Sequence, residues 1–239
     1  MSASHARNRR RRLAVLIPAV AVVPLVLAAC EMDVDVDAEH KKTNTYEVSE
    51  KVGKISVVTT AGKVTVTEKD IPQVKVTEKW NWEGGTEPTT SHKVDNGTVD
   101  LTYKCGNKDC WVSYEVEVPR GTGAHVETDA GEVRLTGLSG DLDVSTGAGK
   151  IDGDALTAKQ ATARTTAGSL DLTFSAAPAN VDAKTTAGRA TVRVPSGQSY
   201  NVDVEATVGD TDVDVAKDAN AASKIKVRTT AGQARVLTS

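Results

Sequence analysis

Three cysteines and three tryptophans are the residues of this chain whose types and spacing could do chemistry. A cysteine thiolate can be alkylated, oxidised to a disulfide or bound to a metal, and an indole ring can stack on a sugar or on another side chain. Cys30 ends an apolar run, and Cys105 and Cys110 lie five positions apart. The tryptophans fall close together, at Trp80, Trp82 and Trp111.

Cys30 follows an N-terminal segment that is typical of a secretory signal. Five arginines in residues 7–12 precede an apolar run over residues 13–29, which ends in small side chains. The sequence Leu27-Ala28-Ala29-Cys30 resembles the lipobox of bacterial lipoproteins, which implies cleavage after residue 29 and a diacylglycerol thioether on Cys30. An uncleaved transmembrane helix is the alternative, but the run is short and contains two prolines.

We therefore expect residues 1–29 to be a lipoprotein signal peptide and the Cys30 lipid to anchor the protein in the membrane. Two acyl chains give stable anchoring where one does not. Arg11 and Arg12 also fit a twin-arginine signal loosely, so both the general secretory route and the twin-arginine route stay open.

The remaining cysteines, Cys105 and Cys110, form a closely spaced pair. In an exported protein a disulfide between them is the default interpretation. A tetrahedral metal site would need two further ligands, and His92 is the nearest candidate in sequence. We predict a Cys105–Cys110 disulfide and neither a metal nor another cofactor.

The tryptophans allow two interpretations. Trp80, Trp82 and Trp111 could form a partner-binding surface, because aromatic rings concentrate contact energy and stack on sugars or protein side chains. They could equally close one end of the fold, since an open end of a repeat structure must be covered. The expected partner of a binding surface is a cell-wall polysaccharide or an envelope protein.

A Thr-x-Ala-Gly motif recurs through the body of the chain. From Gly131 onward the motif glycines are 18 to 23 residues apart, and the residues before and after each glycine alternate between apolar and polar. A period near 20 with small aliphatic inward side chains predicts an all-β fold, a parallel β-solenoid. The motif glycines, with one degenerate copy at 209, are Gly62, Gly131, Gly149, Gly168, Gly188, Gly209 and Gly232.

The long interval between Gly62 and Gly131 breaks this period. We assign residues 30–50 to the lipid attachment site and an acidic tether, with a first strand expected near residues 46–48. We assign residues 51–239 to the solenoid, with an insertion at about 68–120. Within the insertion, Asn96-Gly97 between alternating residues predicts a β-hairpin.

Composition excludes some functions. Without the first 29 residues the chain has 24 basic and 32 acidic residues, a formal net charge of −8, which disfavours a nucleic-acid partner. Catalytic triads, phosphate loops and dinucleotide fingerprints are missing from the sequence, so we expect a protein that is not an enzyme. The alternative is a polysaccharide-acting solenoid enzyme with a groove of carboxylates such as Asp141 and Asp143.

The repeat, the Cys105…Cys110-Trp111 insertion, the following run Tyr114-Glu115-Val116-Glu117-Val118-Pro119-Arg120-Gly121 and the lipobox occur together. This combination resembles a bacterial β-strand-repeat family of unknown function labelled "putative adhesin", over residues 46–239. The resemblance implies an extracytoplasmic β-solenoid and no catalytic residues. It favours a non-enzymatic lipoprotein on the extracytoplasmic face of the bacterial cell membrane, with a role in adhesion, envelope binding or envelope sensing.

Overall fold

The computed structural model describes residues 39–106 and 109–239, which belong to the unit Asp37–Ser239. The signal segment and Cys30 lie outside these residues. No helix in the described part of the chain has the length and apolar character of a membrane span. The described strands are β1 (Glu39–Val48), β2 (Lys54–Ala61), β3 (Val64–Glu68), β4 (Val74–Glu83), β5 (Thr89–Asp95), β6 (Thr98–Lys104), β7 (Cys110–Val118), β8 (Gly123–Ala130), β9 (Val133–Thr136), β10 (Leu142–Ala148), β11 (Ile151–Leu156), β12 (Gln160–Ala167), β13 (Leu170–Phe174), β14 (Asn180–Val194), β15 (Ser199–Asp214), β16 (Ala216–Lys217) and β17 (Lys224–Thr238).

These strands stack as coils of a β-solenoid, which confirms the predicted fold. On one face the parallel ladder runs β6, β2, β8, β10, β12, β14, β17 and β15. On the other face it runs β7, β3, β9, β11 and β13, followed by the second halves of β14, β17 and β15. β14, β15 and β17 turn the corner without a break in the strand.

The core lies between the two faces and is built from the apolar half of each alternating strand. Successive strand residues point to opposite faces, so one row is buried and the next is solvated. The row seven residues before each motif glycine shows this, because its members on six coils are at most 5% exposed: Ile55, Ala124, Leu142, Ala161, Val181 and Ile225.

The motif glycines form a column in which consecutive coils touch through their backbones. Gly168 has a φ of 143°, and a Cβ built there would lie 1.9 Å from the carbonyl oxygen of Gly149. The same contact recurs where Gly188 meets Gly168, at 1.9 Å. A side chain would collide with the neighbouring coil and would also be strained at this φ. The glycine of the repeat is therefore required by stacking as well as by the corner.

The coils do not stack entirely in the order of the sequence. β17, the last strand of the chain, lies between β14 and β15, so β15 ends the stack. β17 presents buried Ala234 to the core at a register where β15 has the exposed Thr211. Placing the coil with the polar residue at the open end avoids burying a hydroxyl group.

The other end of the stack is built from β1 and from the strands that interrupt the repeat. β4 pairs antiparallel with both β7 and β1, and β5 and β6 form the predicted hairpin, with positive φ at Asn96 (47°) and Gly97 (74°). β1 starts at Glu39, before the predicted start of the domain at residue 51, so part of the expected tether is a paired strand. The strand expected near residues 46–48 is the end of β1, where Tyr46 is half-buried and Val48 is buried. The exposed, polar residues 39–45 give no apolar alternation by which the sequence could reveal the rest of the strand.

Candidate functional site

The predicted tryptophans lie in the β1–β4–β7 sheet at the solenoid corner, where a Cβ built on Gly62 would lie 2.5 Å from the carbonyl oxygen of Val112. β7 pairs with β3 from Tyr114 onward, so residues 110–113 continue beyond the end of that ladder. They pair with residues 79–82 of β4, which in turn pair with residues 40–43 of β1. We call these three antiparallel segments, residues 40–43, 79–82 and 110–113, the aromatic extension.

Trp80 is anchored on the inner face of β4 by a buried carboxyl group. Glu78 is 1% exposed, and its carboxyl oxygens accept hydrogen bonds from Tyr46 Oη at 2.9 Å, Trp80 Nε1 at 3.1 Å and Thr90 Oγ1 at 2.9 Å. The Trp80 ring also packs against the core. Because β1, β4 and β5 each supply a donor, this network holds the two faces of the solenoid together at its end.

Trp82 follows Trp80 on the same face and is half-buried. Its ring stacks on His40 of β1, with ring centroids 5.2 Å apart. Next to this stack, Lys42 Nζ lies 4.7 Å above the Trp80 ring and pairs with Glu87 Oε1 at 2.5 Å. The surface around Trp82 therefore combines aromatic rings with charged groups that can form hydrogen bonds.

Trp111 lies on the opposite face of the aromatic extension. It pairs across the sheet with Asn81, the residue between the two other tryptophans, and strand alternation places Asn81 and Trp111 together on the outer face. The structure thus brings Trp80 and Trp82 together and separates Trp111 from them by the thickness of the sheet.

The predicted disulfide is present beside these side chains. Cys105 and Cys110 are bonded, with their Cα atoms 5.8 Å apart. Cys110 begins β7 and pairs with Trp82 of β4. The bond therefore ties the end of the β5–β6 hairpin to the outermost residue of β7 in the aromatic extension.

Burial changes the acidity of two tyrosines at this end. Burial, with a further contribution from nearby Glu78, raises the pKa of Tyr46 well above its usual value. The same two causes, in the same order, raise the pKa of Tyr114. Both phenols stay protonated over the physiological range and behave as structural groups.

The described residues give no support to a metal centre or a catalytic groove. Among residues 39–106 and 109–239, no three His, Cys, Asp or Glu side chains cluster closely enough to hold a metal ion. Asp143 of the predicted acidic pair is exposed and lies in a row of surface ion pairs, 3.2 Å from His125 Nδ1 and 3.8 Å from Arg164 Nη1. A groove of about 710 Å³ lies along residues 49–53, 72–74 and 119–122, away from the tryptophans.

Sequence reasoning missed Glu78 and His40, both of which contact the tryptophans. Glu78 continues the inward row of Val74 and Val76, so alternation alone could have placed it inside. His40 lies in the segment predicted to be a tether, and its position follows from antiparallel pairing with Trp82. That pairing leaves no signal in a single sequence.

Comparison with known families decides the identity of the fold. The model of the Toastrack DUF4097 family matches residues 7–237. The chain belongs to this family. No curated protein matches the chain significantly in sequence.

One solved structure shares the fold of this Toastrack chain. A crystal structure of a "putative cell adhesion protein" from Clostridium sporogenes superposes with a TM-score of 0.52 at 14% identity, covering 84% of this chain and 100% of that one. A "putative adhesin" from Bacteroides fragilis gives a TM-score of 0.30 at 13% identity, covering 85% and 99% of the two chains. At 14% identity, the similarity to the Clostridium sporogenes structure shows a shared fold and nothing about function.

Proposed function

We propose that this Toastrack protein is a non-enzymatic binding module, displayed as a lipoprotein on the extracytoplasmic face of the cell membrane, where it acts as an adhesin or envelope-binding module. The observation that supports this best is the aromatic extension. It carries half-buried Trp82, stacked on His40 and next to Lys42, at the corner of the solenoid end layer. Such a surface suits stacking on a sugar ring or on the side chains of an envelope protein.

Two further observations agree with this proposal. The Cys105–Cys110 disulfide fits an oxidising compartment outside the cytoplasm. The structure from Clostridium sporogenes that shares the fold is described as a "putative cell adhesion protein", and the proposal extends that role to this chain.

Substitution of Trp82 by Ala tests the binding surface. We expect purified cell-wall sacculi or a detergent extract of envelope proteins to retain the variant about 30-fold less than the wild type, because aromatic hot spots commonly contribute 2 kcal/mol or more. The two probes distinguish a polysaccharide partner from a protein partner. Trp111→Ala is the matched control, since Trp111 lies on the opposite face.

Stability measurements separate binding from capping. If Trp82 serves binding, the melting temperature of Trp82→Ala stays close to that of the wild type. Truncation of a fully packed tryptophan costs about 3–5 kcal/mol. A loss of that size, with unchanged retention on both probes, would assign Trp82 to the cap and contradict the proposed binding surface.

The anchor is tested separately at Cys30. Its thiol is the proposed acceptor of the lipid, so Cys30→Ser should accumulate as an uncleaved precursor or leave the detergent-soluble membrane fraction. Fractionation followed by intact-mass analysis measures both outcomes. A variant that is processed normally and stays in the membrane fraction would contradict lipid anchoring.

A further inference from the structure

The stack ends at β15 with an unpaired strand edge. Between Asn201 and Asp214, β15 pairs with β17 on one side, and in the described part of the chain β16 covers the other side at Ser199 and Tyr200 alone. We call the outer side of residues 201–214 the open edge. It lies at the opposite end of the stack from the aromatic extension.

The backbone of the open edge is available for hydrogen bonding. The amide of Asn201 donates to the carbonyl oxygen of Ser223, the residue before β17, so odd-numbered residues at the start of this stretch turn their backbone groups toward β17. Alternation then directs the N–H and C=O groups of Val202, Val204 and Ala206 outward. An unpaired row of this kind is a template for a further strand.

The side chains of β15 do little to block such pairing. Residues 199–214 contain no lysine and no proline, two residues that commonly protect sheet edges, and their charged side chains are all carboxylates, which would repel an acidic strand but attract a basic one. Val202 and Val204 pack against the core but remain partly exposed, because no coil covers them from the outer side within the described chain. Val208 is 67% exposed.

Charge determines which strand could bind there. The stretch carries five carboxylates and no cation: Asp203, Glu205, Asp210, Asp212 and Asp214. Arg228 of β17 pairs with Asp203 at 2.9 Å and with Glu205 at 3.4 Å. The other three carboxylates form no ion pair with another described residue. Pairing of two open edges from two copies would bring ten carboxylates together, which disfavours that arrangement.

We propose that the open edge binds an extended, basic polypeptide segment of another protein, which adds a strand to the stack by β-augmentation. The segment would alternate apolar and basic residues. β17 is a strand of this type within the chain itself, since it sets Lys226 beside Asp203, Arg228 beside Glu205 and Arg235 beside Asp212. Backbone hydrogen bonds would supply affinity, and the carboxylates would select basic strands.

A peptide with the sequence of residues 224–236, acetylated and amidated at its ends, is the probe. It carries four cations and no acid. We expect it to bind the full-length protein in detergent, measured by fluorescence anisotropy, and to protect the amides of residues 201–214 from hydrogen exchange. A peptide with its four cations replaced by Glu should not bind.

Two variants test the role of the edge. Ala206→Pro removes an outward N–H and should abolish binding, whereas Ala206→Thr, which restores the residue found at this register in the other coils, should bind like the wild type. The triple variant Asp210→Asn, Asp212→Asn and Asp214→Asn should weaken binding about threefold, since in the register of β17 one peptide cation, Arg235, lies beside these carboxylates and a single exposed ion pair is weak. Melting temperatures establish that each variant is folded.

A second triple variant is the matched control for charge. Asp129→Asn, Asp141→Asn and Asp154→Asn neutralise three exposed carboxylates on interior coils and should leave binding unchanged. Equal weakening by both triple variants, or undiminished binding by Ala206→Pro, would overturn the proposal. Concentration-dependent association of the protein alone that Ala206→Pro abolishes would also overturn it, because a second copy would then be the occupant.

Discussion

At the scale of single residues, Tyr46 and Tyr114 differ in how their hydroxyl groups are bonded. Tyr46 Oη donates to Glu78 Oε1 at 2.9 Å, whereas the buried Tyr114 Oη has no hydrogen-bond partner among the described residues. Tyr114→Phe should therefore leave the free energy of unfolding unchanged or raise it by up to about 1 kcal/mol. Tyr46→Phe should lower it by about 1–3 kcal/mol, because a buried carboxyl oxygen loses its donor. Urea unfolding at pH 7 measures both, and a larger loss in Tyr114→Phe would contradict the assignment.

The same tyrosines predict how stability depends on alkaline pH. Burial raises the pKa of both in the folded state, so above the unfolded value of about 10 the unfolded chain releases protons that the folded chain retains. The free energy of unfolding is then unaffected below pH 10 and falls above it, by up to about 1.4 kcal/mol per pH unit for each tyrosine. Each Phe variant should show a shallower decline between pH 10 and pH 12 than the wild type. Equal slopes would show that these two groups do not cause the decline.

At the scale of strands and corners, we expect the cost of replacing a glycine by alanine to depend on whether the glycine lies in the stacked column. Gly168→Ala combines a φ of 143° with a Cβ placed 1.9 Å from the Gly149 carbonyl oxygen, and we expect it to cost more than about 3 kcal/mol. Gly197→Ala has a φ of 88° but no atom within 4 Å, so it should cost about 1–2 kcal/mol from backbone strain alone. Gly85→Ala has neither feature and should stay within about 0.5 kcal/mol of the wild type. Similar costs for Gly168→Ala and Gly197→Ala would show that stacking across the column is not the dominant cause.

The strands that sequence reasoning found are those whose inward rows are apolar. Val64 and Val66, for example, alternate with polar residues because one face of β3 is buried, and this alternation is visible in the sequence. The sequence predicted only the end of β1, near residues 46–48. It missed residues 39–45, because their pairing with β4, and not an alternating pattern of their own, holds them in the sheet. The sequence also did not predict that β17 inserts between β14 and β15. The repeats are similar, so the order in which they stack depends on contacts between strands that are far apart in the chain. The candidate site was likewise only partly predictable. The tryptophans and the disulfide could be found by residue type. The hydrogen bonds to buried Glu78 and the stack of His40 on Trp82 could not, because they follow from pairing across strands.

At the scale of the whole molecule, a solenoid gains most of its stability from contacts between neighbouring coils. A local defect should therefore stay local. The Cys105–Cys110 bond lies in the end layer, where it joins the β5–β6 hairpin to β7, and β12 and β13 are several coils away along the stack. Closing a small loop contributes roughly 2–3 kcal/mol in the chain-entropy model.

Replacing both Cys105 and Cys110 by Ala should accordingly loosen the end layer and spare the middle of the stack. We expect faster hydrogen exchange in β1 and β4–β7, with protection in β12, β13 and β17 close to that of the wild type, as measured by mass spectrometry of peptide fragments. Treatment of the wild type with a reductant should reproduce this pattern, while the double variant should not respond to the reductant. A uniform loss of protection from β1 to β17 would instead show that the stack unfolds as one cooperative unit, because the defect would then be felt through every interface between coils.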